Sequence, residues 1–152
     1  DVVQLINESR ELYAQKLLKF DVKYTFNEIN PILVKGRPLQ LSQVILNLVN
    51  NSVDAIEKMS DRWIKIEVKK IDKRCLIHVI DSGNGIKPEL VDKLMNPFFT
   101  TKDPGRGTGL GLSLSKKMVE DSNGRFFYDP TRKNTTFTIE LPTGNAAEMV
   151  AS

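Results

Sequence analysis

The sequence contains almost no cysteine: Cys75 is the only one among 152 residues. An internal disulfide is therefore excluded, and the composition suits a reducing compartment, so we expect a cytoplasmic domain. A chain of this length can bury an adequate core without such a crosslink. Hydrophobic residues make up 40% and charged residues 27% of the chain, which is typical of a soluble globular protein.

Long apolar segments and blocks of like charge are lacking as well. No segment is apolar over the length that a membrane span needs, and the N-terminal residues do not resemble a signal peptide. The 22 basic and 19 acidic side chains give a formal net charge of +3, so neither nucleic acid nor direct membrane contact is predicted. Because the chain starts at Asp1 rather than Met, we expect a fragment of a longer protein, whose upstream part has room for a partner domain or a membrane anchor.

The apolar periodicity predicts one domain in which helices alternate with pairs of strands. We expect helices at residues 2–20, 38–59, 88–94 and 110–121, and strands at 22–27, 32–34, 64–71, 76–80, 125–128 and 135–141. Adjacent strand pairs favour an α+β fold, a two-layer α/β sandwich with a mixed, mostly antiparallel sheet and helices on one face. We expect the domain to cover residues 1–142 and a flexible tail to follow at 143–152.

A glycine-rich run at residues 105–111 is the strongest local signal. Its four glycines alternate with other residues and stand directly before a predicted amphipathic helix. Glycine allows a positive φ and lets a ligand approach the backbone closely, and the start of a helix offers unpaired N–H groups, so the run predicts an anion cradle. The alternative is a flexible linker, but a linker would not lead straight into an amphipathic helix. No P-loop or dinucleotide fingerprint is present.

A polar face on the long helix is the second signal. Asn47, Asn51 and Asp54 stand at i, i+4 and i+7 and share this face, and Gln43 joins them one turn earlier. Mg²⁺ prefers oxygen ligands, and an amide oxygen adds no negative charge beside a triphosphate. On this helix alone, a solvated polar face is an equally good interpretation.

The third signal is a carboxylate at the end of a predicted strand. Asp81 directly follows the strand predicted at 76–80, and Gly83 and Gly85 then turn the chain. A buried carboxylate must find hydrogen-bond donors, and the exocyclic amine of adenine is a good one. A turn in which the aspartate caps its own loop is the alternative, and it is common.

A polar loop with two adjacent aromatic residues is the fourth signal. Phe98 and Phe99 are expected to anchor this loop to the core, as a loop that opens and closes over a ligand requires. Lys102 follows beside the glycine-rich run, within reach of a terminal phosphate.

In this order and spacing, the four motifs resemble the N, G1, F and G2 boxes of the histidine-kinase ATPase domain. That domain belongs to the superfamily shared by gyrase, heat-shock protein 90, MutL and histidine kinases, and the resemblance covers residues 1–142. The short segment after Phe99 resembles the nitrogen-regulation type of kinase. The resemblance implies the Bergerat ATP-binding fold, ATP and Mg²⁺ as cofactors, and transfer of the γ-phosphate to a histidine. That histidine lies on a separate helical dimerisation domain, and the receiver domain of a response regulator is the second partner.

The resemblance also implies roles for individual residues. Asn51 ligates Mg²⁺, Asn47 supports the phosphates or the metal, and both Asn47 and Lys102 are assigned to catalysis. Asp81 accepts from the adenine amine, and Asn134 stands where the family's motif usually has glycine before its threonine near adenine. The remaining residues assigned to the nucleotide are Asp54, Gly83, Gly85, Ile86, Phe99, Thr101, Lys102, Gly107, Thr108, Gly109, Leu110, Gly111, Leu112 and Thr135.

The residue at position 47 separates a kinase from a hydrolase. ATP-hydrolysing relatives have a glutamate there, which activates water as a general base, and Asn47 cannot do so. Residues 51–55 do resemble MutL and gyrase, so an ATPase that changes shape with its nucleotide stays an alternative, as does a serine kinase of the anti-sigma type. The only histidine, His78, alternates along its strand so that it faces away from Asp81. The phosphate acceptor is therefore expected on another domain.

Overall fold

The computed structural model describes residues 1–27, 30–145 and 147, which form four helices and five strands. The elements are α1 (Val2–Lys19), β1 (Lys23–Phe26), α2 (Pro38–Ile56), β2 (Trp63–Ile71), β3 (Arg74–Asp81), α3 (Pro88–Val91), α4 (Gly111–Glu120), β4 (Arg125–Tyr128) and β5 (Thr136–Pro142).

The five strands form one mixed sheet in the order β1-β2-β3-β5-β4. β1 runs parallel to β2, and every other neighbouring pair is antiparallel. β2 and β3 form the predicted hairpin, in whose register Ile64 lies opposite Asp81 and Glu67 opposite His78. The predicted mixed, mostly antiparallel sheet is confirmed.

Burial alternates along β2, and one face of the sheet is built from apolar side chains. The apolar face carries Ile64, Ile66 and Val68 of β2, Ile77 and Val79 of β3, and Phe137, Ile139 and Leu141 of β5, all of which are buried. α2 packs on β2 and β3, α4 packs on β4 and β5, and α1 packs on α2. The helices therefore lie on one face of the sheet, as the α+β interpretation predicts.

α2 carries the functional face of the domain because its apolar stripe fixes its orientation. Pro38 stands in the first turn, where the missing N–H costs nothing. The stripe that packs inward consists of Leu41, Val44, Ile45, Leu48, Val49, Ser52, Val53 and Ile56. Because 3.6 residues make one turn, this packing turns Asn47, Asn51 and Asp54 away from the core.

The segment at 32–34, predicted as a strand, is not one. Val34 forms only an isolated bridge with Thr143, and the neighbouring Pro31 has no N–H to give to a ladder. Several predicted helices also end earlier than expected: the long helix ends at Ile56 and the short one at Val91.

The residues after β5 are attached to the domain at their start. The amide of Thr143 donates to the carbonyl of Lys73, and the amide of Gly144 donates to that of Leu33. The folded domain therefore reaches at least Gly144. Residues 146 and 148–152 of the predicted tail lie outside the described residues.

Cys75 lies buried within β3, where burial raises the pKa of its thiol to about 11. Among the helices of the described residues, none combines the length and the apolar character that crossing a membrane requires.

Candidate functional site

The four motifs converge around the polar face of α2. Asn51 contacts Lys102 of the loop after α3, and a Cβ at Gly111, the first residue of α4, would lie 3.9 Å from Asn51 Nδ2. Ser52, one residue along α2, hydrogen bonds to Asp81 at the end of β3. One turn of α2 thus contacts the strand end, the loop and the start of α4.

Asp81 is a buried carboxylate at one end of this site. Its side chain is 2% exposed, and the amide of Gly83 donates to its Oδ1 over 2.8 Å. Burial raises the pKa of Asp81, and hydrogen bonds from the Ser52 hydroxyl, the Gly83 amide and the Thr135 hydroxyl only partly oppose that rise. A carboxylate offers about four acceptor positions, so these three donors leave capacity for a donor on a ligand.

The loop that follows Asp81 is packed against the residues before β5. The amide of Thr135 donates to the carbonyl of Gly83 over 3.1 Å, and the amide of Gly85 donates to Thr135 Oγ1 over 3.1 Å. Asn134 Nδ2 donates to the same Gly83 carbonyl over 3.2 Å. A Cβ at Gly83 would lie 2.7 Å from both Asp81 Oδ1 and Thr135 Oγ1, so a larger residue at this position would have to displace these two side chains.

Two residues of this region were missed by the sequence analysis. Ser52 lies within the apolar stripe of α2, is 5% exposed and hydrogen bonds to Asp81. The hydroxyl of Tyr128 accepts from the amide of Ile86 over 2.9 Å. The role of Ser52 could have been predicted, because it is the one hydroxyl within the apolar stripe of α2. The contact of Tyr128 could not, because it depends on the order of the strands in the sheet.

The two asparagines of α2 have different surroundings. Asn47 Nδ2 donates to Ser115 Oγ on α4 over 3.3 Å, and Gln43 Nε2 donates to Asn47 Oδ1 over 3.0 Å. Asn47 therefore joins α2 to α4. Asn51 Oδ1 accepts from Lys102 Nζ over 3.3 Å, so it faces the loop.

Asp54 lies between two lysines from different parts of the chain. Lys16 of α1 contacts its Oδ1 over 2.7 Å, and Lys102 contacts its Oδ2 over 2.6 Å. Burial raises the pKa of Asp54, but the hydrogen bonds and charges of Lys102 and Lys16 outweigh it, so the net pKa is lowered. Asp54 is therefore an ionised carboxylate that both ammonium groups hold in place.

The lid segment (residues 98–110) is held by ion pairs rather than by an aromatic anchor. Phe98 was expected to pin it to the core, but Phe98 has a φ of 66° and a side chain 74% exposed, while Phe99 is half-buried. The expected anchor is wrong for Phe98 because the left-handed backbone turns its side chain outwards. Lys102 binds Asp54, and Arg106 binds Glu57 over 3.1 Å.

Gly109 is the tightest backbone position in the lid segment. Its φ is +70°, and a Cβ there would lie 2.3 Å from the carbonyl carbon of Phe98. Gly105 also has a positive φ, of +83°, but a Cβ there would meet nothing within 4 Å. A substitution at Gly105 would therefore cause backbone strain alone, whereas a substitution at Gly109 would cause both backbone strain and steric overlap.

We predict that Gly109→Ala destabilises the domain more than Gly105→Ala. The left-handed backbone alone costs Gly105→Ala about 1 kcal/mol, and Gly109→Ala adds a backbone overlap worth about 1–3 kcal/mol. Urea unfolding of the two variants measures the difference. Equal free energies of unfolding would mean that Gly109 does not pack on Phe98 in solution.

α4 begins at Gly111, beside Asn51. Within the described residues, no side chain caps its N terminus, and the exposed Thr108 instead accepts from the amide of Leu110 over 3.3 Å. Leu112 packs against the core and fixes the start of the helix. The first-turn N–H groups are thus directed towards the lid segment, where an anion would be stabilised. Gly107 and the exposed Thr101 lie on the same segment.

The oxygen atoms beside Lys102 suit a hard cation. Asn51 Oδ1 and Asp54 Oδ2 already hold an ammonium group between them, and such oxygens are what Mg²⁺ prefers. The described residues contain no group of three or more His, Cys, Asp or Glu that could hold a metal ion. A metal bound here would therefore need further oxygens from a ligand such as a triphosphate.

His78 lies on the face of the sheet opposite to Asp81. It pairs with Glu67 and Thr138, and its Nδ1 is 2.8 Å from Thr138 Oγ1. Burial lowers the pKa of His78. The prediction that it faces away from Asp81 is confirmed.

Comparison with known proteins agrees with this geometry. Residues 36–145 match the family model described as histidine kinase-, DNA gyrase B-, and HSP90-like ATPase. The two-component sensor PprA of Pseudomonas aeruginosa is 36% identical over 122 residues, which cover 77% of this chain and 13% of PprA. The sensor histidine kinase ZraS of Escherichia coli is 34% identical over 145 residues, which cover 93% of this chain and 30% of ZraS. The chain thus spans less than a third of either relative.

Solved structures show the same likeness. The nucleotide-free catalytic domain of histidine kinase ThkA superposes with a TM-score of 0.80 at 30% identity, covering 93% of this chain and 94% of that domain. A structure of ThkA in complex with the response regulator protein TrrA superposes with a TM-score of 0.76 at 28% identity, covering 93% of this chain and 40% of that one.

Proposed function

The chain belongs to the histidine kinase-, DNA gyrase B- and HSP90-like ATPase family as a sensor histidine kinase catalytic domain, and on this basis we propose that it transfers the γ-phosphate of Mg-ATP to a histidine of a separate helical domain. One observation carries the proposal. A buried carboxylate and an uncapped helix N terminus, within the described residues, lie beside the same turn of α2. A nucleotide needs that pairing, with a hydrogen-bond acceptor for its base and N–H donors for its phosphates.

The adenine end of the proposed site is built around Asp81. Its spare acceptor capacity takes the exocyclic amine of adenine, which guanine lacks at that position. Thr135 keeps the carboxylate oriented through its hydroxyl. The backbone at Gly83, Gly85 and Ile86 borders the base, and the tight packing at Gly83 supports this assignment.

The phosphate end is formed by the lid segment and the start of α4. Backbone N–H groups face the phosphates, and Lys102 adds a positive charge. Phe99 and Thr101 border this end. The residues proposed to contribute their backbone are Gly107, Thr108, Gly109, Leu110, Gly111 and Leu112.

Asn51 would hold Mg²⁺, and the fit of its amide oxygen to a cation supports this assignment. When bound, Mg²⁺ supplies charge neutralisation to the triphosphate. The chain's own residues supply orientation: Asn47 fixes the spacing of α2 and α4 through Ser115, so that Asn51 and the α4 N terminus face one ligand.

The residue at position 47 favours transfer over hydrolysis. An amide has no basic lone pair with which to take a proton from water, and the amide of Asn47 already bonds to Gln43 and Ser115. ATP would therefore persist until an acceptor nitrogen attacks the γ-phosphorus. That attack breaks the bond between the γ-phosphorus and the bridging oxygen and releases ADP.

The acceptor is proposed to be a histidine of another domain, because His78 is buried on the opposite face of the sheet. The likeness to ThkA, solved with a response regulator protein, supports a receiver domain as the next acceptor. The proposal puts the domain in the cytoplasm, where Cys75 stays reduced, whether or not the parent protein is anchored in a membrane.

A phosphotransfer assay tests the proposed function. The domain is mixed with labelled ATP, Mg²⁺ and the histidine-bearing helical domain of the same protein, with a histidine-to-glutamine variant of that domain as control. We expect an acid-labile, base-stable phosphoprotein with the native acceptor only, and less than one phosphate released per domain without an acceptor. Acid-stable label would point to a serine kinase, and many turnovers without an acceptor would point to an ATPase.

A further inference from the structure

A lysine of the lid segment occupies the cation position beside Asn51. Lys102 Nζ lies 3.3 Å from Asn51 Oδ1, the oxygen assigned to the metal, and 2.6 Å from Asp54 Oδ2. The same ammonium group is the one proposed to reach the terminal phosphate. An ammonium group that follows a terminal phosphate away from α2 would give up its contacts with Asn51 and Asp54.

Asp54 does not depend on Lys102 for a partner. Lys16 of α1 contacts the other carboxylate oxygen, Oδ1, over 2.7 Å, and it also donates to the carbonyl of Asn50 over 3.4 Å. If Lys102 moves away, Asp54 keeps its ion pair with Lys16, so no unpaired charge is left in this half-buried position. Loss of the contact with Lys102 therefore carries only a small penalty.

Lys102 is also coupled sterically to the glycine-rich run. A Cβ at Gly107 would lie 2.9 Å from Lys102 Cδ and 3.0 Å from Thr100 Oγ1. The lysine side chain thus packs over the backbone that would contact the phosphates. If the ammonium group moves, the methylene groups of Lys102 that pack over Gly107 move with it.

We propose that Asp54 is a positioning residue that stores Lys102 against α2 in the nucleotide-free domain and releases it to the terminal phosphates when ATP binds. This inference rests on the proposed function, since it assumes that ATP binds at this site. It assigns Asp54 an effect on the nucleotide that acts through Lys102 instead of through direct contact. ATP binding then replaces one charge pair by another and leaves Asp54 with Lys16.

Two other roles for Asp54 make different predictions. If the carboxylate only repelled the triphosphate, removing it would strengthen ATP binding whether or not Lys102 were present. If the carboxylate ligated Mg²⁺, removing it would weaken Mg-ATP binding and spare metal-free binding. Storage of Lys102 predicts stronger binding that requires Lys102.

A double-mutant cycle on ATP affinity distinguishes the three roles. Calorimetric titrations compare the wild type, Asp54→Asn, Lys102→Met and the double variant, each with and without Mg²⁺. We expect Asp54→Asn to bind ATP about two- to fivefold more tightly than the wild type, as loss of a partly exposed ion pair implies. In the Lys102→Met background the same change should have no effect. Equal tightening in both backgrounds, or loss confined to Mg-ATP, overturns the inference.

Two further variants serve as controls. Lys16→Met removes the other ammonium group and leaves Lys102 stored, so ATP affinity should not rise; a rise equal to that of Asp54→Asn would overturn the inference. Asp54→Glu keeps the carboxylate and should keep the affinity within about twofold of the wild type. Thermal unfolding establishes that each variant is folded before it is titrated.

Hydrogen exchange of the nucleotide-free domain tests storage without ATP. Asp54→Asn should speed exchange at the amides of the lid segment and leave the β3 amides unchanged, and unaltered exchange would overturn the inference. This measurement distinguishes failure of the proposed function from failure of the proposed storage of Lys102. If the wild type failed to bind ATP, the proposed function would fall, while faster lid exchange in Asp54→Asn would still establish the contact with Lys102.

Discussion

Replacing Asp81 by Asn is expected to lower the affinity for ATP by about 10- to 100-fold, the range that follows from losing a hydrogen bond to a charged group. The amide NH₂ of asparagine would face the exocyclic amine of adenine, so that two donors meet. The preference for ATP over GTP should fall with the affinity. Titration with both nucleotides measures it, and an unchanged ratio of the two affinities would remove Asp81 from the adenine site.

The same substitution should leave the free energy of unfolding at neutral pH unchanged or raise it. Burial raises the pKa of Asp81 in the folded state, so the ionised carboxylate opposes folding at pH values above that pKa, and asparagine removes this cost. Asn Oδ1 can still accept from the Gly83 amide. Lost affinity without lost stability would therefore identify a binding role.

Glu67→Gln is the matched control for Asp81→Asn. Glu67 is a carboxylate on the polar face of the same sheet, where the hydrogen bond from Lys65 leads the contributions that lower its pKa. Its charge stabilises the fold above the unfolded pKa, and this contribution is lost as the pH falls through the folded pKa. Glu67→Gln should thus reduce stability at neutral pH and leave ATP affinity unchanged, the reverse of Asp81→Asn.

Asn51→Ala is expected to weaken binding of Mg-ATP by about 100-fold, since substitutions in the outer shell of metal sites alone cost 10- to 100-fold. Metal-free ATP should bind within about threefold of the wild-type affinity, because only a contact to Lys102 is lost. Titrations in Mg²⁺ and in EDTA separate the two effects.

The neighbouring asparagine provides the control for Asn51→Ala. Asn50→Ala removes the same side chain at the adjacent position of α2, about 100° around the helix, and should leave both affinities unchanged. If Asn51→Ala weakened both forms of ATP equally, Asn51 would contact the phosphates and not the metal. If Asn50→Ala weakened Mg-ATP as much, the effect would come from the helix and not from a metal ligand.

Features set by local periodicity could be predicted from the sequence. The apolar stripe of α2 decides which side chains face outwards, and it correctly put Asn47, Asn51 and Asp54 on one face. Alternation along β3 correctly put His78 and Asp81 on opposite faces of the sheet. Both rules depend only on how one element buries its apolar side.

Contacts between distant elements could not be predicted in this way. Ser52 meets Asp81 only because of where β3 ends beneath α2, and Tyr128 reaches Ile86 across strands that are not consecutive in the sheet. Phe98 is exposed and has a left-handed backbone, a conformation that the residue type does not favour. Pairing of Lys16 with Asp54 joins residues 38 positions apart, and long charged side chains take partners only after the fold has brought them together.

The two ion pairs that hold the lid segment make it sensitive to dissolved ions. Lys102 with Asp54 and Arg106 with Glu57 are partly exposed pairs, and added salt weakens ion pairs that solvent can reach. Screening would also weaken the attraction between Lys102 and phosphate. Salt therefore acts on the stored and the bound position of the same ammonium group, and nucleotide affinities of these variants can be compared only at a single ionic strength.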